Sequence, residues 1–291
     1  MAIEILKSKE DDSVNFVFGG NYSGFFEARY VRRSPKYFAV YLSSQSGCKQ
    51  ACQMCHLTAT GQIAFVNASF ENYLEQALEV FRYYDLNTPK AEIVHFNFMS
   101  RGEAFDNPLF LACGKKLFHA LEEKASDRNL FPRFLISTMM PKSFSGQSLS
   151  KLFPSINPEI YYSIYGAEET FRKRWLPKAM PIPEALKMLN EYQANTKKII
   201  KLHWAFIEGE NDGERDVAYL CHIIRSSGLR VDIAIVRYNP YSEKYGRESS
   251  DEVINRNEEI LKTLLPFSKV KKITRVGKDV KASCGMFIEP K

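Results

Sequence analysis

Apolar residues follow two rhythms along the chain. Short runs, apolar at nearly every position, recur at 38–44 (FAVYLSS), 92–100 (EIVHFNFMS), 133–138 (RFLIST), 159–165 (EIYYSIY), 199–208 (IIKLHWAFIE) and 231–238 (VDIAIVRY). Between and after them apolar positions repeat every three or four residues, over 73–84, 108–124, 183–192, 215–225 and 251–264. The first rhythm predicts strands and the second predicts helices. Pro183 falls at a helix start, where a missing N–H costs nothing. Six strands alternating with helices, each strand too apolar to have a wet face, predict an α/β fold with a parallel sheet covered by helices. Right-handed crossovers curl such a sheet into a partial (β/α)6, TIM-like barrel with its working groups at the C-terminal ends of the strands. A last strand-like run, 269–276 (KVKKITRV), leads to the tail DVKASCGMFIEPK.

Upstream, 14–32 (VNFVFGGNYSGFFEARYVR) predicts two strands about a turn of Gly19, Gly20, Asn21 and Gly24. This gives a small N-terminal β-hairpin extension over 1–34 and the barrel with its tail over 35–291, without repeats or low-complexity tracts. The 45% hydrophobic and 25% charged content suits a globular protein with a sizeable core. No run of about 18 apolar residues predicts a membrane span. The start, MAIEILKSKEDD, is polar and resembles no secretory signal, so a cytoplasmic, reducing location with free or metal-bound thiols is expected. A net charge of +6 is compatible with a polyanionic partner without demonstrating one. Lys49, Arg172, Lys173, Arg174, Lys178, Lys197, Lys198, Lys271, Lys272 and Arg275 are candidate phosphate contacts, although charge runs are more often solvated faces.

Three of the six cysteines, Cys48, Cys52 and Cys55, lie in the stretch SSQSGCKQACQMCHLTATG (43–61), spaced C-x3-C-x2-C. Three thiolates in one loop suit an iron-sulfur cluster whose fourth iron has no protein ligand. The adjacent His56 leaves a Cys3His zinc site open as the alternative. The remaining strands run out into polar segments, MSRGE, ST, SIY and RYNP, where a barrel would place its site.

That cysteine spacing at the end of the first barrel strand resembles the radical S-adenosylmethionine (SAM) superfamily. SSQSGC, Gly102-Glu103, Ser137-Thr138, SIYGAEETFRKRWLP (163–177), EGENDG (208–213), YNPYS (238–242) and DVKASCG (279–285) sharpen it to the RlmN/Cfr-like RNA (adenine) methyltransferases, from about Phe16 to Gly285. The resemblance implies a radical SAM barrel in which Cys48, Cys52 and Cys55 hold a 4Fe-4S cluster. It implies SAM contacts at Gly102, Glu103, Ser137, Ser163, Tyr165 and Asn239, with Gly102 admitting the ligand to the backbone and Glu103 accepting from the SAM ammonium. It implies that Cys284 is methylated by one SAM, that the radical from a second takes hydrogen from that methyl group, and that the carbon radical adds to carbon 2 or carbon 8 of adenine. Glu27 would be the proton-accepting base, its pKa raised among Phe25 and Phe26. An RNA substrate (rRNA or tRNA), a reductant such as flavodoxin or ferredoxin, and a monomer complete what the resemblance implies.

The sequence departs from the family at several places. Tyr41 stands where the family has the cysteine that resolves the protein-RNA adduct, and Cys113 and Cys221 fall in helical patterns. Tyr165 replaces a usual His. MSRGEAF brings Arg101 and Ala104 to a segment normally richer in Gly, reshaping the SAM pocket or touching substrate. Relatives often carry a longer N-terminal accessory domain, whereas here the hairpin comes almost first. These departures keep two alternatives open: a radical SAM enzyme acting on DNA, a peptide or a small molecule, or with an altered final step, and a nucleic-acid-binding or metal-stabilised protein that has lost the reaction.

Overall fold

The computed structural model describes residues 3–19 and 24–290. Ten strands form one sheet in chain order: β1 (Ile3–Lys7), β2 (Val14–Phe18), β3 (Phe26–Ser34), β4 (Tyr37–Tyr41), β5 (Ile93–Phe98), β6 (Phe131–Thr138), β7 (Glu159–Ser163), β8 (Ile200–Trp204), β9 (Val231–Ile235) and β10 (Val270–Lys272). The first three pairings are antiparallel. From β4 to β10 every pairing is parallel. The α/β fold with its mostly parallel sheet is thus as the sequence predicts. β1 was not anticipated, and Gly20 and Asn21 of the expected turn lie outside the described residues. β3 pairs directly with β4, so the N-terminal strands continue the main sheet.

Helices α1 (His56–Ala59), α2 (Phe70–Asn87), α3 (Pro108–Ser126), α4 (Leu149–Leu152), α5 (Glu169–Trp175), α6 (Ile182–Thr196), α7 (Glu214–Ser227) and α8 (Asp251–Leu264) fill the connections. Their ends follow local chemistry. Ser69 and Asn72 form a reciprocal capping box at the start of α2. At α3, Asn107 Oδ1 accepts from the Leu109 and Phe110 amides ahead of a first-turn proline.

The sheet corrects one expectation. Only its outer face is uniformly apolar: Phe38, Val40, Val94, Phe96, Ile136, Ile160 and Leu202 are buried in the main core. Alternate residues of the same strands, including Tyr37, His95, Arg133, Glu159, Lys201 and Asp232, face an open chamber instead. Because successive strand residues point to opposite faces, the strands have a wet face after all. Residues from β3 through β10 line that one chamber, so the sheet curls around it.

On the outer face of the sheet, Phe118 on α3 packs against Phe98 of β5, Phe134 of β6, Phe110 of its own helix and Phe153 just after α4, with centroids at 5.3, 4.6, 6.1 and 5.4 Å. Phe118→Ala is expected to cost about 3–5 kcal/mol, read as a lower urea midpoint at unchanged slope.

Candidate active site

Loops following β4, β5, β6 and β7 converge on a cavity at the C-terminal ends of the strands. Eight of the residues singled out by sequence line it together: Cys48, Cys52, Cys55, Gly102, Glu103, Ser137, Ser163 and Tyr165. Gly102 has φ +86°, and a Cβ there would stand 2.5 Å from Gln45 Cβ and 2.7 Å from the Gln45 amide nitrogen. Glycine is therefore needed so that this loop can pass the cysteine-bearing loop. The close approach expected toward a ligand is made, in this structure, toward Gln45.

Glu103 is buried, and its two oxygens accept from the Phe105 and Met139 amides, each at 3.1 Å. No cation is paired with it among the described residues. Burial raises its pKa to about 7 against the opposing amide hydrogen bonds. A cationic ligand group arriving in this cavity would find a carboxyl ready to ionise beside it.

Burial likewise raises the thiols of Cys48 to about 12 and Cys55 to about 11, and Cys52 well above its usual value, with further raising from neighbouring cysteines. Such thiols ionise when a metal takes up the charge. Among the described residues no three His, Cys, Asp or Glu side chains gather closely enough to hold one metal ion. His56, the candidate fourth zinc ligand, is buried with Nε2 3.1 Å from the Asn239 carbonyl oxygen. Three thiols and the Glu103 carboxyl line the cavity, and His56 is not among its lining residues.

The C-terminal tail forms one wall of this cavity through Gly285 and Phe287. It is held by a buried charge cluster. Glu27, fully buried, accepts through Oε1 from Arg101 Nη1 (2.7 Å) and the Ile288 amide (3.0 Å), and through Oε2 from Asn15 Nδ2 (2.8 Å) and Arg29 Nη2 (3.3 Å). With two donors on each oxygen, no acceptor capacity is left for a substrate proton. Glu27 lines neither chamber, and its surroundings are two arginines rather than the apolar pocket expected of a base. Arg29 donates on to the carbonyls of Ser283 (3.1 Å) and Met286 (2.6 Å). Arg101 donates to Ser46 O and Ile288 O and to Gln62 Oε1. Its guanidinium also lies 4.2 Å from the Phe25 ring centroid. Arg101 thus bolts the cysteine loop to the tail, a role the sequence signalled only by an unexpected Arg.

Asn239 also serves the tail. Its Nδ2 donates to Cys284 O (2.9 Å) and Ser283 Oγ (3.2 Å), and it lines neither chamber. Where the resemblance implies a SAM contact, Asn239 Nδ2 is engaged with the tail.

Cys284 itself opens onto the second chamber, of about 450 Å³, inside the curl of the sheet. The two chambers share Met99, Ser137, Ser163 and Tyr165 as a common wall. Tyr165 adopts φ +54°, an unusual backbone for an aromatic residue, and Asn211 Nδ2 holds its carbonyl at 2.7 Å. Crowding raises the Cys284 thiol pKa, while Arg29 and Arg33 pull it down. Tyr41 lines the same chamber and accepts from Arg33 at 3.2 Å. Cys113 and Cys221 lie on α3 and α7 and line neither chamber.

Several of the basic residues noted in the sequence are already engaged. Lys49 pairs with Asp106, Lys173 with Glu169, Arg174 with Glu210, Lys272 with Glu258 and Arg275 with Glu248. Arg172 donates to the carbonyls of Ile164, Gly166 and Met180. No described helix is long and apolar enough to cross a membrane.

No protein-family model matches the chain. It is similar to a probable RNA methyltransferase of Rhodopirellula baltica, 25% identical over 97% of this chain and 72% of that protein. It is similar to a dual-specificity RNA methyltransferase RlmN of Syntrophobacter fumaroxidans (23%; 99% and 80%) and to a ribosomal RNA large subunit methyltransferase Cfr of Lachnoclostridium phytofermentans (28%; 86% and 70%). Its fold matches a crystal structure of a radical SAM methyltransferase from Sphaerobacter thermophilus with a TM-score of 0.81, at 19% identity over 98% of this chain and 80% of that one. The resemblance read from the cysteine loop and tail is borne out over most of the chain.

The charge cluster sets a testable cost. Glu27→Gln leaves buried arginines without their anion and is expected to destabilise the protein by about 3–5 kcal/mol. Tryptic cleavage after Lys281, followed under native conditions, should accelerate as the tail detaches. Unchanged cleavage would show that Glu27 does not hold the tail.

Proposed function

We infer that this chain, a relative of the RlmN/Cfr-type radical SAM RNA methyltransferases, is itself a radical SAM methyltransferase that modifies an adenine carbon of RNA, at carbon 2 or carbon 8, through Cys284. The observation that carries the reading is the shared wall: the three-cysteine cavity and the chamber receiving Cys284 meet across Ser137, Ser163 and Tyr165.

Cys48, Cys52 and Cys55 would hold the 4Fe-4S cluster. Thiolates around one tetrahedral zinc ion stand about 3.8 Å apart, given Zn–S bonds of about 2.3 Å. Ligands on three separate irons are spread more widely than that. When bound, the cluster supplies an electron and SAM supplies both the methyl group and the radical that activates it. The chain's own residues position these partners. Glu103 would accept from the SAM ammonium, with Gly102, Ser137, Ser163 and Tyr165 around the remainder. Arg29, Glu27, Arg101 and Asn239 fix the tail that carries Cys284, while Tyr165 and the tail itself separate the two chambers.

The position of Tyr41 favours an altered last step. No second free thiol of the described residues lines the chamber that Cys284 faces. Release of a Cys284-linked product would therefore draw on a thiol from solution. A different acceptor, whether DNA, peptide or small molecule, is the reading to adopt if RNA is not modified.

The reading is tested by anaerobic reconstitution with iron and sulfide. The expected product holds about four irons per chain and loses them in Cys52→Ala. Incubation with SAM and a reductant should then add a methyl group to the C-terminal peptide bearing Cys284. SAM cleavage with an unmodified Cys284 would overturn the assignment.

Glu103 gives a pH signature. Its pKa, near 7 in the folded protein, lies above the unfolded value, so the ligand-free protein holds this proton more tightly than the unfolded chain does. That contribution to stability is lost as pH rises from about 4.5 to about 7. SAM affinity runs the opposite way, since the ionised carboxylate binds the ammonium. Calorimetric titration should show binding about tenfold weaker at pH 6 than at pH 8. Glu103→Gln should flatten that profile and weaken binding roughly 10- to 100-fold at pH 8.

A further inference from the structure

We propose that the chamber faced by Cys284 is a single-nucleotide pocket whose phosphate contact is Arg33, supported by Lys269 and Lys271. The proposal deepens the methyltransferase reading by stating how its substrate is gripped.

Charge distribution carries the argument. The two acidic residues lining the chamber are already neutralised, Glu159 by Arg133 and Asp232 by Lys201. Of the remaining cations, Arg29 is matched by Glu27, and Arg237 and Arg275 by Glu248. Among the described residues, Arg33, Lys269 and Lys271 are left without a carboxylate partner. Arg33 is the central one. Its guanidinium donates to the Tyr41 hydroxyl oxygen, and it is close enough to influence both His203 and Cys284. Burial and the Arg33 charge hold His203 near a pKa of about 4, and burial with Arg133 does the same for His95. Both rings are therefore neutral at pH 7, and the surplus positive charge is fixed rather than titrating. A guanidinium without a carboxylate partner among the described residues, on the lining of this chamber, is a ready bidentate partner for a phosphate.

Size and ring content narrow the ligand. About 450 Å³ lies within the range of small-molecule sites, roughly 300–1,000 Å³, and excludes a base-paired helix. Tyr37 stacks on His95 with centroids 4.5 Å apart, and Tyr161 lies 4.8 Å from His203. These rings offer flat faces to a base. A nucleotide with its phosphate on Arg33 would occupy the space onto which Cys284 opens. The same chemistry is presented by a free mononucleotide and by one unpaired nucleotide of an RNA strand.

The test uses the full chain and equilibrium binding of adenosine 5′-monophosphate, adenosine and inorganic phosphate. The monophosphate is expected to bind at least tenfold more tightly than adenosine, with inorganic phosphate competing. Arg33→Gln should abolish the difference, and Arg33→Lys should restore part of it. Thermal melts of the variants establish that they fold. Equal affinity for nucleotide and nucleoside in the wild type, or a preference that persists in Arg33→Gln, overturns the proposal. A short single strand with one internal adenosine tells the sources apart: displacement of the monophosphate by it assigns the pocket to RNA, and failure to displace assigns it to the free nucleotide. SAM-dependent methylation of Cys284, measured separately in the wild type, distinguishes the two levels. Methylation without phosphate preference removes only the pocket, whereas phosphate preference without methylation removes only the methyltransferase reading.

Discussion

The ion cluster of Glu27 with Arg29 and Arg101 is the constraint on which the site depends. Burying three charges is expensive in isolation, and the cost is offset by the hydrogen bonds that the charged groups make. Here the partners are spread across the molecule: the Asn15 side chain on β2, the cysteine loop at Ser46, and tail carbonyls at Ser283, Met286 and Ile288. Satisfying the charges therefore joins the first strands, the cysteine loop and the last dozen residues. A pair chosen for stability alone would be easy to replace with apolar residues. This one also fixes geometry, because the tail that it holds brings Cys284 to a chamber.

Two chambers separated by a thin wall follow from how that tail is laid. Gly285 and Phe287 face the cysteine-lined cavity, and Cys284 faces the other. Cys284 and Gly285 are the middle of a turn closed by the Met286 amide on the Ser283 carbonyl, with Gly285 at φ +73°, so one short stretch can serve both sides. Tyr165, held by Asn211 in a left-handed backbone conformation, completes the wall from β7's side. Burial raises its phenol pKa, and the tail thiol and the loop thiols of Cys52 and Cys55 are near enough to raise it further. A reactive species generated on one side would reach the other over a short and shielded path.

The electrostatics divide in the same way. On the side of the three cysteines the acid without a cation partner among the described residues is Glu103, whose pKa burial raises. On the other side Arg33 has no carboxylate partner among the described residues. Most cations that look available in the sequence are instead spent in ordinary ion pairs or on backbone carbonyls. Net charge alone therefore said little about where an anion would bind.

The sequence by itself determined the alternating strands and helices, because hydrophobic periodicity is local and strong; 251–264 was read to the residue. It also pointed to the cysteine loop, Gly102-Glu103, Ser137, Ser163 and Tyr165, which line one cavity, since each lies at or just beyond the C-terminal end of a parallel strand. The wet inner face was present in the sequence as alternate residues Tyr37, His95, Arg133, Lys201 and Asp232, but it was masked by their apolar neighbours. Only the tertiary structure decided the parts played by Glu27, Arg101 and Asn239, which were expected at substrate or cofactor and are found holding the tail. Their partners lie as far as 261 residues away along the chain. No local pattern encodes which distant carbonyl or carboxylate a buried polar group will meet, because that depends on how the whole sheet closes around it.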